Sequence, residues 1–186
     1  MAWYVIDGMD GCGKNTVADA LADELAKKGR VTFVQTHPSD RIAGKMSRRL
    51  LVKDGKSYQA FATLFFIIDV LGSLVRMRFW KGYDDIIFVR YIMAAAYLPD
   101  RLVERGYNLI ARVLPMPEHL ILVDTPPEKA MCRIIERGHE LEMFETVEKL
   151  VRIRNRMLGQ SHKGWTIIDN SNSRESIRHQ LEDYLG

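Results

Sequence analysis

The amino-acid sequence predicts an α/β fold in which a five-stranded parallel sheet is covered by helices on both faces. Five short runs are apolar and rich in β-branched residues, as strands buried on both faces are. They span residues 3–7, 31–36, 85–89, 119–124 and 165–169. Amphipathic stretches separate these runs, and strand–helix alternation favours a parallel sheet. The 186 residues contain no internal repeat or linker, so we expect one domain over residues 1–186.

Two of the amphipathic stretches carry helix boundaries. In residues 16–29, "TVADALADELAKKG", the apolar residues fall on one stripe, and a basic turn and a glycine end the segment. In residues 125–138, "TPPEKAMCRIIERG", Thr125 is the expected N-cap, a proline occupies the first helical position and a glycine ends the segment. Both segments are therefore predicted to be helices.

The composition excludes several kinds of partner. The 27 basic and 24 acidic residues are interspersed, whereas a nucleic-acid binder usually concentrates its basic residues. Cys12 and Cys132 are too few for a disulfide framework or a zinc site, and the N-terminus does not resemble a signal peptide. Residues 60–75 are the most apolar stretch, but Asp69 interrupts them and they fall short of the ~20 residues of a membrane span. We expect a buried helix there, and a cytoplasmic protein that binds neither nucleic acid nor membranes.

Residues 8–16, "GMDGCGKNT", contain the start of the phosphate-binding loop G-x-x-x-x-G-K-[ST]. The match follows a predicted strand and opens an amphipathic helix, which lets backbone N–H groups and the helix dipole hold phosphates. Gly8 and Gly13 permit the tight turn, and Lys14 supplies a point charge to the phosphates. A glycine-rich turn with an incidental lysine is the plain alternative. The placement predicts a P-loop NTPase fold that binds a nucleotide.

The metal-binding position of this loop is altered. The motif places a Ser or Thr hydroxyl on Mg²⁺ directly after the lysine, but here Asn15 occupies that position. Its amide oxygen is a permissible but larger Mg²⁺ ligand, and Thr16 lies about 100° further round the helix. Asp124, at the end of the fourth strand, is a second candidate ligand because strand ends converge at this edge of the sheet. Alternatively, Asp124 helps to start the helix that follows it.

Six segments, in order, resemble the thymidylate kinase family of P-loop nucleoside-monophosphate kinases. They are "IDGMDGCGKNT", "THPSDRIAGKMSRRLL", "LFFIID", "FVRY", "AMCRIIERG" followed by "ELEMF", and "TIIDNSNSRESIRHQL". The resemblance covers the whole chain. It implies phosphorylation of a nucleoside monophosphate, typically dTMP to dTDP, with ATP and Mg²⁺ as cofactors. It also implies a short lid at about residues 137–145 and a homodimer.

The resemblance assigns roles to individual residues. The residues implied to bind ATP are Gly8, Asp10, Gly11, Cys12, Gly13, Lys14, Asn15 and Thr16. Those implied to bind the acceptor are Arg41 and Arg90 at its phosphate, Phe66 stacked on its base and Tyr97 under its sugar. Asp10 is expected near the sugar 3′-hydroxyl, and Arg137, with Arg133, near ATP. Lys14, Arg90, Arg137 and Asp10 form the implied catalytic set.

Plain structural roles stay open for several of these residues. Asp10 could only cap its turn, and Arg90 could be a surface arginine. Phe66 could pack in the core, and Arg137 could complement the C-terminus of its helix.

Three departures from the family pattern leave the function open, and Asn15 is the first of them. Val89 stands where the family has the aspartate of Asp-Arg-Tyr, and Val70 stands where it has an arginine that reads the pyrimidine edge. Arg76, further along the same helix, is a weak replacement for that arginine. The first hypothesis is a dTMP kinase. A kinase with another nucleotide or nucleoside acceptor is the second, and a nucleotide-binding relative without catalysis is the third.

Overall fold

The computed structural model describes residues 1–53, 55–98, 100–138 and 146–186. In this part of the chain five parallel strands form one sheet in the order β2-β3-β1-β4-β5. The strands are β1 (Ala2–Asp7), β2 (Thr32–Thr36), β3 (Asp85–Val89), β4 (His119–Asp124) and β5 (Trp165–Asp169). All five predicted strands are confirmed, three of them at both ends.

Helices connect the strands. They are α1 (Lys14–Lys27), α2 (Ile42–Leu51), α3 (Lys56–Met77), a 3₁₀ helix (Met93–Tyr97), α4 (Asp100–Val113), α5 (Pro127–Glu136), α6 (Val147–Gln160) and α7 (Arg174–Leu185). Every residue of β3 is buried, and in β1 all but the first are buried. Because successive side chains of a strand point to opposite faces, both faces of the sheet are covered, as predicted.

The order of the strands brings the candidate site residues together at the carboxyl ends of the strands. The carboxyl ends of β1 and β3 are neighbours, since Ile6 pairs with Val89. The loop after β1 therefore faces the residues that follow β3. Asp85 lies at the opposite end of β3, where it forms an ion pair with Arg30, so it is distant from the carboxyl ends of the strands.

Helix α3 differs from its prediction, because one of its faces is exposed. It carries a stripe of exposed apolar side chains at spacings of three and four residues: Phe61, Leu64, Ile68, Leu71 and Val75. By length and composition Ser57–Met77 could cross a membrane, and only 22% of its most apolar window is buried. Its other face is polar in part and buries Asp69 and Ser73. The helix predicted from this apolar stretch is confirmed. The prediction that the helix is buried is wrong, because one of its faces is exposed.

Candidate active site

The phosphate-binding loop joins β1 to α1 and depends on two glycines. The backbone of Gly11 and Gly13 has φ values of 74° and 88°, in the left-handed region that favours glycine. A Cβ atom at Gly11 would lie 2.4 Å from the carbonyl oxygen of Ala130, and one at Gly13 would lie 2.1 Å from Nδ2 of Asn170. No larger residue fits either position, so the loop keeps the close approach that phosphate binding requires.

The N-terminus of α1 is prepared for an anion. Gly13 is the N-cap and offers no side chain to the first N–H groups of the helix. Such N–H groups, aligned with the helix dipole, bind phosphates. Lys14 is buried beside them, and its Nζ donates to the carbonyl oxygens of Gly8 (2.9 Å) and Met9 (2.7 Å). Burial lowers the pKa of Lys14, so this ammonium group has lost hydration that a phosphate oxygen could replace.

Three donors fix the orientation of one peptide in the loop. The carbonyl oxygen of Cys12 accepts from Nδ2 of Asn170 (2.7 Å), Oγ1 of Thr125 (3.1 Å) and Arg133 (3.3 Å). These three bonds fix the peptide that joins Cys12 to Gly13, directly before the N-terminus of α1. The predicted N-cap role of Thr125 is wrong, since Pro126 is the N-cap of α5 and makes no side-chain cap bond. Asn170, directly after β5, was not among the predicted site residues.

The remaining loop residues differ in accessibility. Cys12 is fully buried, and burial raises the pKa of its thiol, so it is an uncharged filler. Asn15 is exposed at the start of α1 and Thr16 is half-buried. The amide of Asn15 is thus accessible to a metal ion that arrives with a nucleotide.

Asp10, Arg90 and Tyr97 form one cluster at the mouth of the loop. The Asp10 carboxylate accepts from Arg90 (2.6 Å) and from the Tyr97 hydroxyl (2.7 Å). Burial alone would raise the pKa of Asp10, but the charges of Arg90 and Lys14 and the Tyr97 hydrogen bond outweigh it and lower the pKa to about 2. Three residues predicted from separate segments thus meet.

This cluster predicts a pH-dependent contribution to stability. Lowering the pKa of Asp10 from 3.8 to about 2 corresponds to ~2.5 kcal/mol of stability, at 1.36 kcal/mol per pKa unit. Because the folded-state pKa is the lower one, the contribution is complete above about pH 5 and is lost as the pH falls toward 2. We expect urea unfolding to show the same difference between wild type and Asp10→Asn at pH 7 and pH 5, and about half of it at pH 3. A difference that does not change with pH would contradict the ionised pair.

Arg90 is held in a strained conformation by its surroundings. Its φ of 66° is the only positive value at a described residue other than glycine. Its N–H donates to the carbonyl oxygen of Ile6 (3.0 Å). Its own carbonyl oxygen lies 3.1 Å from Nδ1 of His37, whose Nε2 lies 2.7 Å from the Ser73 hydroxyl. Burial lowers the pKa of His37 to about 4, so the ring is neutral at pH 7. Strain of this kind concentrates at functional sites.

Asp7 organises the segment after β3 and was missed in the sequence. Its buried carboxylate accepts from the backbone N–H groups of Tyr91, Ile92 and Met93 (2.9–3.2 Å). Burial raises the pKa of Asp7, and these three hydrogen bonds oppose that effect. The segment leads directly into the 3₁₀ helix that carries Tyr97. An acidic residue at the carboxyl end of a buried strand was the signal that could have revealed it.

A cavity of about 620 Å³ runs from the phosphate-binding loop to the space between α3 and α4. Asp10 and Arg90 line its polar end, and Phe66 and Val70 lie on its α3 wall. The other lining residues are Asp7, Gly8, Thr36, Pro38, Ser47, Arg48, Leu51, Gln59, Ala62, Thr63, Ile67, Leu71, Tyr91, Ala94, Ala95, Tyr97, Leu98, Gly106, Leu109, Ile110, Val113, Leu114 and Met157. Its volume suits a nucleotide-sized ligand.

Arg41 is directed away from this cavity. Its guanidinium donates to the carboxylate of Asp69 (3.0 Å) and to the carbonyl oxygen of the same residue (2.7 Å). Ser39 also binds this carboxylate, through its N–H and its hydroxyl. Arg41 is not part of the cavity lining. Its role at the acceptor phosphate stays a prediction, and Arg48 lies on the cavity wall instead.

The other candidate metal ligand and the lid arginines lie on the far side of the loop. Asp124 accepts two hydrogen bonds from Arg154 of α6 (2.6 and 2.7 Å). Arg133 contacts the loop, and Arg137 is exposed at the C-cap of α5. Residues 139–145, which make up most of the predicted lid, lie outside the described residues. Over the described ranges, no group of three or more His, Cys, Asp or Glu residues is arranged to hold a metal ion.

Comparison with known proteins agrees with this geometry. The family model for thymidylate kinase matches residues 6–181. A thymidylate kinase of Xanthomonas euvesicatoria pv. vesicatoria is 30% identical over 184 positions, covering 94% of this chain and 79% of that protein. A probable thymidylate kinase of Pyrobaculum aerophilum is 29% identical, covering 100% and 96%, and one of Thermococcus gammatolerans is 28% identical, covering 96% and 93%. With a phosphate-binding loop, a nucleotide-sized cavity and a match along nearly its whole length, the chain belongs to the thymidylate kinase family.

Proposed function

We propose that this protein transfers the γ-phosphoryl group of ATP to a nucleoside monophosphate, with dTMP as the acceptor. The observation that carries the proposal is that the start of the phosphate-binding loop borders the cavity lined by the residues implied to bind the acceptor. Gly8 and Asp10 of the phosphate-binding loop line the same space as Arg90, Tyr97 and Phe66. A phosphate held by the loop and a phosphate held by Arg90 would therefore lie next to each other.

The arrangement supplies what phosphoryl transfer needs, which is positioning and positive charge. An oxygen of the acceptor phosphate attacks the γ-phosphorus, the bond from phosphorus to the β,γ-bridging oxygen breaks, and ADP leaves. Lys14 would exchange its two carbonyl partners for phosphate oxygens. Arg90 would neutralise the acceptor phosphate, and Asp10 and Tyr97 would hold the guanidinium in place and meet the sugar.

Mg²⁺ would accompany ATP in this site. Mg²⁺ prefers oxygen ligands and usually takes few of them from the protein, because substrate phosphates and water provide the rest. The exposed amide of Asn15 fits that requirement, whereas the Asp124 carboxylate is occupied by Arg154. The ion neutralises charge on the phosphates. We also propose that Arg137, at the start of the lid, approaches ATP when nucleotide is bound.

A homodimer through α3 is part of the proposal, as are a single domain over residues 1–186 and a cytoplasmic location. The apolar stripe of α3 supports the dimer, because contiguous exposed apolar surface marks interaction sites. Its spacing of three and four residues suits antiparallel or parallel packing against a second copy of the same helix.

The dimer predicts a change of mass after one substitution. We expect the wild-type protein to have the mass of two chains in size-exclusion chromatography with light scattering. Ile68→Glu places a charge in the middle of the stripe and should yield a folded monomer, because an unpaired buried charge is costly. Val52→Glu, at an exposed apolar residue outside the stripe, is the matched control and should leave the dimer intact. A monomeric wild type would refute this part of the proposal.

The experiment that tests the function is ADP release from ATP and Mg²⁺ with single acceptors. dTMP, dUMP, dCMP, dAMP, dGMP, UMP, CMP and AMP are supplied one at a time. Turnover with dTMP supports the proposal. Turnover with a different monophosphate alone would identify that monophosphate as the acceptor in place of dTMP. The hypothesis of a nucleotide-binding relative without catalysis rests on Val89, which leaves the end of β3 without a carboxylate, and the match to the thymidylate kinase family does not favour it. It predicts ATP binding without turnover of any acceptor.

A further inference from the structure

Among the described residues, the part of the cavity between α3 and α4 lacks the charged side chains found elsewhere in its lining. At the phosphate-binding loop the cavity is lined by Asp7, Asp10 and Arg90. Between α3, the 3₁₀ helix and α4 its described lining residues include no charged side chain. The surfaces there are those of Phe66, Val70, Ala94, Ala95, Leu98 and Ile110. We call this end the apolar sleeve.

The few polar side chains near the apolar sleeve already donate elsewhere. The Thr63 hydroxyl donates to the carbonyl oxygen of Gln59 (2.9 Å), and the Ser47 hydroxyl donates to that of Ala62 (2.9 Å). Arg48, on α2, donates to the carbonyl oxygen of Pro38 and to Asp40. The two hydroxyl donors have partners inside the protein, and Arg48 lies on α2 rather than among the helices that form the apolar sleeve.

Gln59 is the side chain near the apolar sleeve whose donor is least well satisfied within the protein. Its Nε2 lies 3.5 Å from the carbonyl oxygen of Tyr97, a long and weak hydrogen bond. It lies on α3 two turns before Phe66, so both side chains are on the face of the helix that lines the cavity. If any described side chain of the apolar sleeve reads the edge of a base, it is this amide.

Resting on the proposed function, we infer that the acceptor is held by its phosphate and by the shape and stacking of its base, without hydrogen-bond readout of the base edge. A site built from polar readers rejects an analogue that lacks the matching groups by a factor on the order of 10⁴–10⁵, because its buried polar groups are left unpaired. Apart from the Gln59 amide, the described side chains of the apolar sleeve offer no polar group that an analogue would leave unpaired. Its substrate class is therefore 5′-monophosphates with flat bases, including bases that cannot form hydrogen bonds.

The test uses the 5′-monophosphate of the 2,4-difluorotoluene deoxyriboside, whose ring has the shape of thymine but neither N–H nor carbonyl groups. We expect its kcat/KM to lie within about thirtyfold of that for dTMP, and its dissociation constant to be no higher, because no polar edge has to be desolvated. A loss of kcat/KM greater than about thirtyfold would overturn the inference.

Two variants separate stacking from polar readout. Phe66→Leu removes the aromatic ring. It should raise the dissociation constants of both acceptors by the same factor, roughly tenfold or more. Gln59→Leu should leave the ratio of kcat/KM between the two acceptors unchanged. A selective loss for dTMP of more than about thirtyfold in Gln59→Leu would assign readout to this amide and refute the inference.

Failure of the inference can be told apart from failure of the proposed function. If neither acceptor is phosphorylated, the kinase proposal fails, and calorimetric titration of the two monophosphates still tests the apolar sleeve. Similar dissociation constants support the inference. Binding of dTMP alone contradicts it.

Discussion

We expect Lys14→Met to lower kcat/KM for ADP formation by ~10³-fold, about 4 kcal/mol of transition-state stabilisation. Lys14 is the one lysine in the phosphate-binding loop, and its buried ammonium group, bonded to the carbonyl oxygens of Gly8 and Met9, is the positive charge that the loop offers to phosphates. Methionine keeps the length and bulk of the side chain and removes its charge. The measurement is ADP release at saturating and limiting ATP.

The same substitution should change the stability of the protein little. Burial lowers the pKa of Lys14, so below that pKa the charged lysine makes the folded state less stable than an uncharged side chain would. Methionine removes this cost but leaves two carbonyl oxygens without their donor, which opposes the gain. We expect the free energy of unfolding to change by about 1 kcal/mol or less.

Lys27→Met is the matched control for Lys14→Met. It removes an exposed lysine from the last turn of the same helix, where it forms an ion pair with Glu24. Turnover should stay at the wild-type level. If Lys14→Met keeps more than a tenth of the wild-type kcat/KM, the loop does not hold the transferred phosphoryl group in the way proposed.

The strands and the loop could be predicted because their signals are local. Each strand is a short apolar run that is buried on both faces, so its own residues identify it. The turn at Gly13 needs a residue without a Cβ atom, and the motif G-x-x-x-x-G-K contains a glycine at that position. Helix α3 shows the limit of local signals, since its residues predict an apolar helix but do not say which face the rest of the chain covers.

The contacts that position the site could not be predicted, because they join residues far apart in the chain. Asn170 reaches Cys12 across 158 positions, and nothing near either residue marks the pair. Arg41 binds Asp69 and is not part of the cavity lining, although both residues lie in segments that resemble the family. Several donors could bind a given carboxylate, and which of them does so depends on distances that only the folded chain defines.

We expect Arg90→Ala to lower kcat by ~10³-fold or more and to raise KM for the acceptor. Arg90 is proposed to hold the acceptor phosphate beside the transferred group, and an arginine that stabilises the transition-state charge of phosphoryl transfer is worth about 10³–10⁵ in kcat. The protein should also lose stability, because the carboxylate of Asp10 is left buried without its charged partner. Arg90→Lys keeps a positive charge but loses the planar fork of the guanidinium. It should be intermediate in both respects.

A double substitution separates the catalytic role of Arg90 from its structural one. In Arg90→Ala with Asp10→Asn, no charge is buried alone, and the Tyr97 hydroxyl can still donate to the amide oxygen at position 10. We expect the free energy of unfolding to recover by roughly 1–3 kcal/mol relative to Arg90→Ala, while kcat stays at the low value. Urea unfolding and ADP release on the same preparations measure both quantities. If activity recovered together with stability, Arg90 would act by keeping Asp10 in place, and the acceptor phosphate would need another cation, of which Arg48 on the cavity wall is the nearest in kind.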